Sequence, residues 1–322
     1  MSVRISVNLW PILAHHMSDP KRWDVLGVGC NSVDYVYRVP ALPQGNSPTA
    51  KLRITSHTMS YGGQTATAMA ACAALGLRAA YLGAVGNDAA GDGVREELAR
   101  HGVDVSLVLT RDCANRFAVI PVDEHNGDRV VLWARDARLG LHENEIRPET
   151  IAAARLVHVD DEDETAAIRA ARLARDAGVP ATSDIDHLTA RTRDLIAAVS
   201  IPIFNAHTLP ALTGEADPRR ALNALRRSHP DGMLCVTLGE HGAMLLAEDE
   251  LVHEPGHKVN AVDTTGAGDV FRAGFIHALL QGKSPREILR FANVAAAVSC
   301  MRAGAIASVP AMHEIESAVS AG

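Results

Sequence analysis

The sequence predicts an α/β protein: a doubly wound, mostly parallel sheet flanked by helices, with a small β-sheet lid. Three observations lead there. Short apolar runs alternate with alanine-rich runs of helical spacing, the order expected of parallel strands joined by crossover helices. Other runs, within 34–58 and 114–134, alternate polar and apolar residues as one-sided strands do. The composition also permits a core of this size, because the 322 residues are 47 % hydrophobic and 21 % charged, ordinary globular usage.

Taken in order, residues 1–22 read as an N-terminal extension outside the fold. Their apolar run at 5–14 is too short for a membrane span and is followed by His15-His16, not by a small-residue cleavage site. One domain is expected over 23–322, since neither an internal repeat nor a low-complexity linker divides it. Asp24 to Gly29 reads as a buried strand. Its continuation, Gly27-Val28-Gly29-Cys30-Asn31-Ser32, nearly matches a dinucleotide fingerprint. That reading fails because the strand-like run 33–39 follows where a helix is needed, and Lys51 and Leu52 stand where an acid belongs. A half-exposed strand at 50–60 leads into Gly62-Gly63 and a helix, Thr65 to Leu75, stopped by Gly76. Next come a strand at 79–85, a helix at 91–101, and a hairpin of Arg116 to Val122 and Arg129 to Trp133. With 34–39 and 50–58, that hairpin makes the expected lid.

The second half repeats strand and helix more regularly. Strands are expected at 156–159, 179–183, 201–204 and 233–237, with helices at 164–177, 190–199 and 218–227. A hairpin at 243–254, a short strand at 258–262, a helix through 271–280 and a last helix at 285–302 close the core. Charge and cysteines narrow the function. A net charge of −7 and a pI near 6.1 argue against nucleic acid or an anionic membrane as partner, since both need a basic face. Five scattered cysteines without a CxxC pair point to reduced thiols and a cytoplasmic location. Gly282-Lys283-Ser284 looks like the end of a P-loop, but His277 stands where its first glycine belongs.

The stretch carrying most chemical information is Asp263-Thr264-Thr265-Gly266-Ala267-Gly268-Asp269. It opens a helix, and a helix start favours an anion through its unpaired N–H groups and dipole. Glycines at 266 and 268 let backbone approach a ligand closely. An acid at 269 would repel that anion. It either complements the helix dipole or takes a proton from a hydroxyl about to attack phosphorus.

Together with Gly62-Gly63, the alanine-rich helix after it and Gly86-Asn87-Asp88, this stretch resembles the ribokinase-like (PfkB) family of carbohydrate kinases, over about residues 23–310. The resemblance implies transfer of the γ-phosphoryl group of ATP to a primary hydroxyl of a small sugar. Asp269 aligns with the base, and Gly266, Ala267 and Gly268 with the anion hole. Asp34, Gly62 and Gly63 match sugar-contacting positions, and Arg135 stands where some members place a substrate arginine. Asn205, Thr237, Gly239, Gly242 and Asn293 match the nucleotide side. Asp263 and Thr265 match positions whose carbonyls line a monovalent-cation site, so the implied ligands are ATP, Mg2+ and K+. Exposed lid edges invite pairing, which points to a homodimer.

Two departures stand out. The family's Asn-x-x-Glu, which orders Mg2+ and its waters, appears here as Asn205-Ala206-His207-Thr208, and a hydroxyl cannot supply the charge of a carboxylate. Thr67 stands where ribokinases proper carry Asn, which points away from ribose and toward ketose-kinase-like or sulfofructose-kinase-like members. The acidic run Asp160 to Glu164 is either a solvated helix start or a filter that repels anionic sugars and leaves a neutral or amine-bearing substrate. A nucleoside kinase of the same fold and a non-catalytic sugar or nucleotide sensor are the rival functions.

Overall fold

The computed structural model describes residues 21–248 and 250–321, so the expected N-terminal extension lies, but for its last two residues, outside them. Trp23–Val28 (β1) is buried along its whole length. The chain then runs through Ser32–Val39 (β2), Ser56–Gly62 (β3), Gln64–Ala74 (α1), Ala79–Leu82 (β4), Ala84–Gly86 (β5) and Ala89–Arg100 (α2). Leu109–Arg111 (β6), Phe117–Asp123 (β7), Leu132–Ala134 (β8), Pro148–Ala152 (α3), Ala154–Val159 (β9) and Glu164–Asp176 (α4) follow. Ala181–Ile185 (β10), Thr192–Ala198 (α5), Ile201–Asn205 (β11), Leu209–Thr213 (α6), Pro218–Arg226 (α7) and Leu234–Thr237 (β12) continue the alternation. Ala243–Ala247 (β13), Glu250–Glu254 (β14), Ala267–Leu280 (α8), Pro285–Ser299 (α9) and Met312–Ala321 (α10) complete it.

Eight strands form the main sheet in the order β14-β13-β12-β11-β10-β9-β1-β4. It is parallel from β4 to β12 and antiparallel at the β13 and β14 edge. Side chains alternate between its faces. Val25, Leu156, Ile203 and Cys235 join the core that contains α1, α8 and α9 residues, while Leu26, Val157, Phe204 and Val236 join the core of α4, α5 and α7. The doubly wound expectation is met because both faces of these strands are apolar. A second sheet, β3-β2-β7-β8, is half-solvated, as its polar–apolar alternation requires.

The structure corrects several boundaries. Residues 258–262 are not a strand: β14 is already the sheet edge, and the N–H groups of Val262 and Asp263 donate instead to the Cys300 carbonyl at the end of α9. The strand expected at 79–85 breaks at Gly83, where a Cβ would lie 2.1 Å from the Tyr81 hydroxyl, and β5 then pairs with β6 instead of the main sheet. The second hairpin strand shrinks to Leu132–Ala134, with only a bridge at Arg129. The last expected helix stops at Ser299, and α10 follows it. A cavity of about 370 Å³ lies among Val179, Val199, Ile201 and Met233, where the parallel strands begin, away from every residue discussed below.

Candidate active site

The carboxyl ends of the parallel strands and the start of α8 meet at one crevice, the place where open α/β sheets bind ligands. Gly266 caps α8 with φ +78°, a left-handed conformation natural to glycine. A side chain there would also lie 2.9 Å from Ala305 Cα. Asp263 ties the turn down: it accepts the Thr265 N–H at 2.9 Å, the Thr265 hydroxyl at 2.7 Å and the Gly304 N–H at 2.9 Å. Burial works to raise its carboxyl, but the Gly304 and Thr265 donors hold it below the usual range. Ala267 donates to the Thr264 carbonyl at 3.2 Å, whereas among the described residues nothing accepts from the N–H groups of Gly266, Gly268 or Asp269. Of the amides expected to form an anion hole, those of Gly266 and Gly268 are thus open and that of Ala267 is engaged, while the Asp269 amide is open as well.

The Asp269 carboxylate accepts no hydrogen bond from any described residue, although donors surround the rest of the turn. Burial, and then the neighbouring Asp184 carboxylate, push its carboxyl well above the ordinary range, against the pull of Arg272. A recessed carboxylate without a partner and with raised basicity suits proton abstraction better than helix capping. The surrounding residues carry the substrate expectations. Asp34 accepts from the Ser32 hydroxyl at 2.9 Å, and a Cβ on Gly62 would lie 3.1 Å from Asp34 Oδ2. Burial raises the Asp34 carboxyl despite that bond. Gly63, at φ +99°, packs against the Asn31 backbone. Thr67 is buried on α1 with its hydroxyl unbonded among the described residues, and a Cβ on Gly266 would lie 3.4 Å from its methyl. The positions expected to meet the sugar and those expected to meet the anion therefore adjoin, at Thr67 of α1 and at Ala305.

Arg135 sits beside Gly29, Cys30 and Asn31 around a small cavity, but its guanidinium holds Asp163 at 2.7 Å. Every acid of the run 160–164 is engaged. Asp160 accepts the Cys30 N–H and the Thr65 hydroxyl, Asp161 the N–H groups of Asp186 and His187, and Glu164 the Thr189 hydroxyl. Glu162 pairs with Arg116 at 3.0 Å. Two arginines offset part of the charge of the run and the other acids serve as local hydrogen-bond acceptors, which favours the helix-start alternative over a filter against anionic sugars.

On the nucleotide side, Asn205 at the end of β11 accepts from the Thr237 hydroxyl at 2.9 Å and donates to Asp186. Gly239 opens a turn of 3-10 helix, and Gly242 follows it against the Glu254 carbonyl. Asn293 donates to that same carbonyl and to that of Pro255, at 3.0 and 3.1 Å, so its amide braces the loop from α9. Thr208 is buried and donates to the Asn205 carbonyl at 2.8 Å, a local structural bond. Sequence reasoning missed two arginines. Arg129 reaches from the small sheet to the Thr265 hydroxyl at 3.2 Å, and nothing in its hairpin signals that. Arg272 pairs with Asp184 at 2.5 Å; a charge amid the apolar run 270–280 was the available sign.

The crevice therefore joins open main-chain amides to an unpartnered carboxylate, and the sequence pattern of the pfkB family of carbohydrate kinases matches residues 28–312. The chain belongs to the pfkB carbohydrate kinase family. Its members are phosphotransferases, and this one acts on a sugar hydroxyl. A ribokinase of Haemophilus influenzae is 29 % identical over 295 residues, covering 89 % of this chain and 95 % of that protein. A candidate ribokinase from Agrobacterium tumefaciens superposes with a TM-score of 0.86 at 29 % identity, covering 92 % of this chain and 97 % of the other. Arabidopsis thaliana ribokinase, solved with ribose and ATP, gives a TM-score of 0.80 at 25 % identity over 92 % of this kinase and 98 % of that chain. No helix among the described residues of this pfkB kinase is long and apolar enough to cross a membrane.

Proposed function

We propose that this protein phosphorylates the primary hydroxyl of a small sugar with ATP, Asp269 acting as base. The observation that carries this reading is the free Asp269 carboxylate beside the open amides of Gly266 and Gly268. Asp269 takes the hydroxyl proton as the sugar oxygen bonds to the γ-phosphorus and the bond to the β–γ bridging oxygen breaks. The amides at 266, 268 and 269 hold the charge that develops on the phosphoryl oxygens, and the helix dipole adds to them. Asp34, with Gly62 and Gly63, orients the sugar, while Arg135 closes the side facing the lid. Thr67, in place of an asparagine, favours a substrate other than ribose.

The Gly239–Gly242 turn, Thr237 and Asn205 are the groups that would hold ATP, with Asn293 supporting them. Mg2+ borne on the nucleotide neutralises phosphate charge when bound, and it needs few protein ligands. That suits this chain: among the described residues no group of three or more His, Cys, Asp or Glu side chains forms a metal cage. Asp186, beside Asn205, would hold its water shell where Thr208 cannot. We assign a monovalent cation, K+, to the Asp263–Thr265 loop, which supplies carbonyls and a firmly anionic neighbour. Exposed Met59 and Leu132, which share one face of the small sheet, support its action as a lid and a homodimer through that face, to be checked by sedimentation. Unpaired cysteines support a cytoplasmic site of action.

Coupled ADP release against a panel of sugars and nucleosides tests the reading, with Asp269→Asn as control. Sugar-dependent turnover lost in the variant is expected. Turnover with nucleosides alone would move the assignment to a nucleoside kinase, and none with any acceptor would favour a sensor.

A further inference from the structure

Arg272 is 1 % exposed in the second turn of α8, between Phe271 and Ala273 and among residues that are otherwise apolar. Burying a guanidinium is costly unless it is paired, and an apolar side chain of similar volume often serves stability as well. What distinguishes this arginine is the set of atoms it holds. Nη2 meets Asp184 Oδ1 at 2.5 Å and donates to Asn205 Oδ1 at 3.3 Å; Nη1 donates to the Gly268 carbonyl at 2.9 Å. A Cβ on Gly268 would lie 2.9 Å from that same Nη1, so the glycine makes room for the arginine as well as for a ligand.

The Gly268 carbonyl belongs to the peptide whose N–H is that of Asp269, one of the open amides at the anion site. A charge-assisted bond to the oxygen end of a peptide polarises its N–H end and fixes its plane. Through Asn205, which also accepts from Thr237, the same guanidinium touches the nucleotide side.

We propose that Arg272 is a positioning residue for phosphoryl transfer: anchored by Asp184, it clamps the Gly268 carbonyl and the Asn205 amide oxygen, holding the anion-hole turn and the nucleotide-side strand in one geometry. This rests on the function proposed above. It contacts neither substrate directly, and the sugar contacts at Asp34 and Gly62 lie on other elements.

The test compares wild-type kinase with Arg272→Met and with the double variant Arg272→Met/Asp184→Leu, which removes both charges and guards against misfolding from an orphaned carboxylate. Circular dichroism confirms the fold, and steady-state kinetics on the best sugar of the panel are read as kcat and sugar KM separately. Expected is a loss of kcat of about tenfold to a hundredfold, somewhat below the loss for deleting an oxyanion-hole donor, with sugar KM within about twofold of wild type. Arg272→Lys keeps the charge but cannot span three acceptors, so it folds and recovers only part of kcat. Wild-type kcat in any folded variant, or equal rises in sugar KM and falls in kcat, overturns the proposal. A wild-type protein without sugar-dependent turnover would instead refute the kinase reading itself.

Discussion

The start of α8 and the small sheet hold their shapes by different physics. At the helix start, Gly266 sits in a left-handed turn, Asp263 bonds three donors of its own and a neighbouring loop, and Phe271 and Phe275 lie in the core. The small sheet shows Leu132 and Trp133 at 59 % and 62 % exposure, and it reaches the body through ion pairs from Arg116 and Arg135 to Glu162 and Asp163. The helix start is set by backbone and burial throughout, whereas the small sheet is anchored at its base by Val33, Phe117 and these ion pairs and leaves its outer strand, Leu132–Ala134, exposed. In the proposed function, the helix start places the chemistry and the small sheet admits and covers the substrate.

The largest test of that contrast is Asp269→Asn, for which kcat should fall by about a thousandfold or more, within the range for lost general-base catalysis, while the thermal midpoint holds. Unchanged turnover would remove the base from the rigid region. Next, Gly266→Val forces a branched side chain into the left-handed turn and against Ala305. A loss of kcat of about a hundredfold, with a lower melting temperature, is expected, and a fully active valine variant would show that the turn is not rigid.

pH sharpens the comparison. The Asp269 carboxyl stands above its ordinary value, and the base works only when deprotonated. Activity should therefore fall on the acid side at a pH above that of an ordinary aspartate, near 4. The acid limb of kcat/KM measures this, and a limb at or below pH 4 contradicts it. For the lid, Glu162→Gln frees Arg116 and weakens the hold on Arg135. Partly exposed pairs contribute about 1 kcal/mol or less, so sugar KM should rise only about two- to fivefold, and salt should mimic the change. A change in kcat with KM constant would place the effect in the wrong region.

The smallest effect lies outside both. Arg78 and Arg155 hold Asp24, despite burial that would raise it, at about 2. Its folded pKa is below the unfolded value near 3.9, so the stability it adds is present above that value and lost as pH falls toward 2. Asp24→Asn should flatten acid unfolding between pH 4 and 2, read by circular dichroism.

Much of this was legible in the chain. The alternation of Val-rich strands with alanine-rich helices survives in the main sheet because apolar burial on both faces leaves little choice of partner. The Gly266-to-Asp269 turn was legible because its chemistry is local. Boundaries failed where a distant contact decided: Tyr81 reaching Gly29 across Gly83, or Val262 bonding to Cys300 where a strand would have bonded to β14. The acids at 160–164 stayed ambiguous for the same reason, since a run of carboxylates looks free until its arginines and N–H donors are located.

Local spacing alone determined the layered α/β order and a glycine-rich helix start with an acid in its first turn, because helix periodicity, strand alternation and glycine turns depend on residues a few positions apart; the resemblance to the family made that acid the candidate base. Only the tertiary structure decided that Asp269 lacks a partner, that every acid of the run 160–164 is engaged, and that Arg272 joins Gly268 to Asn205, which lies 67 positions before the arginine. Electrostatics depends on distance in space and on exclusion of water, and neither is written in the order of the residues.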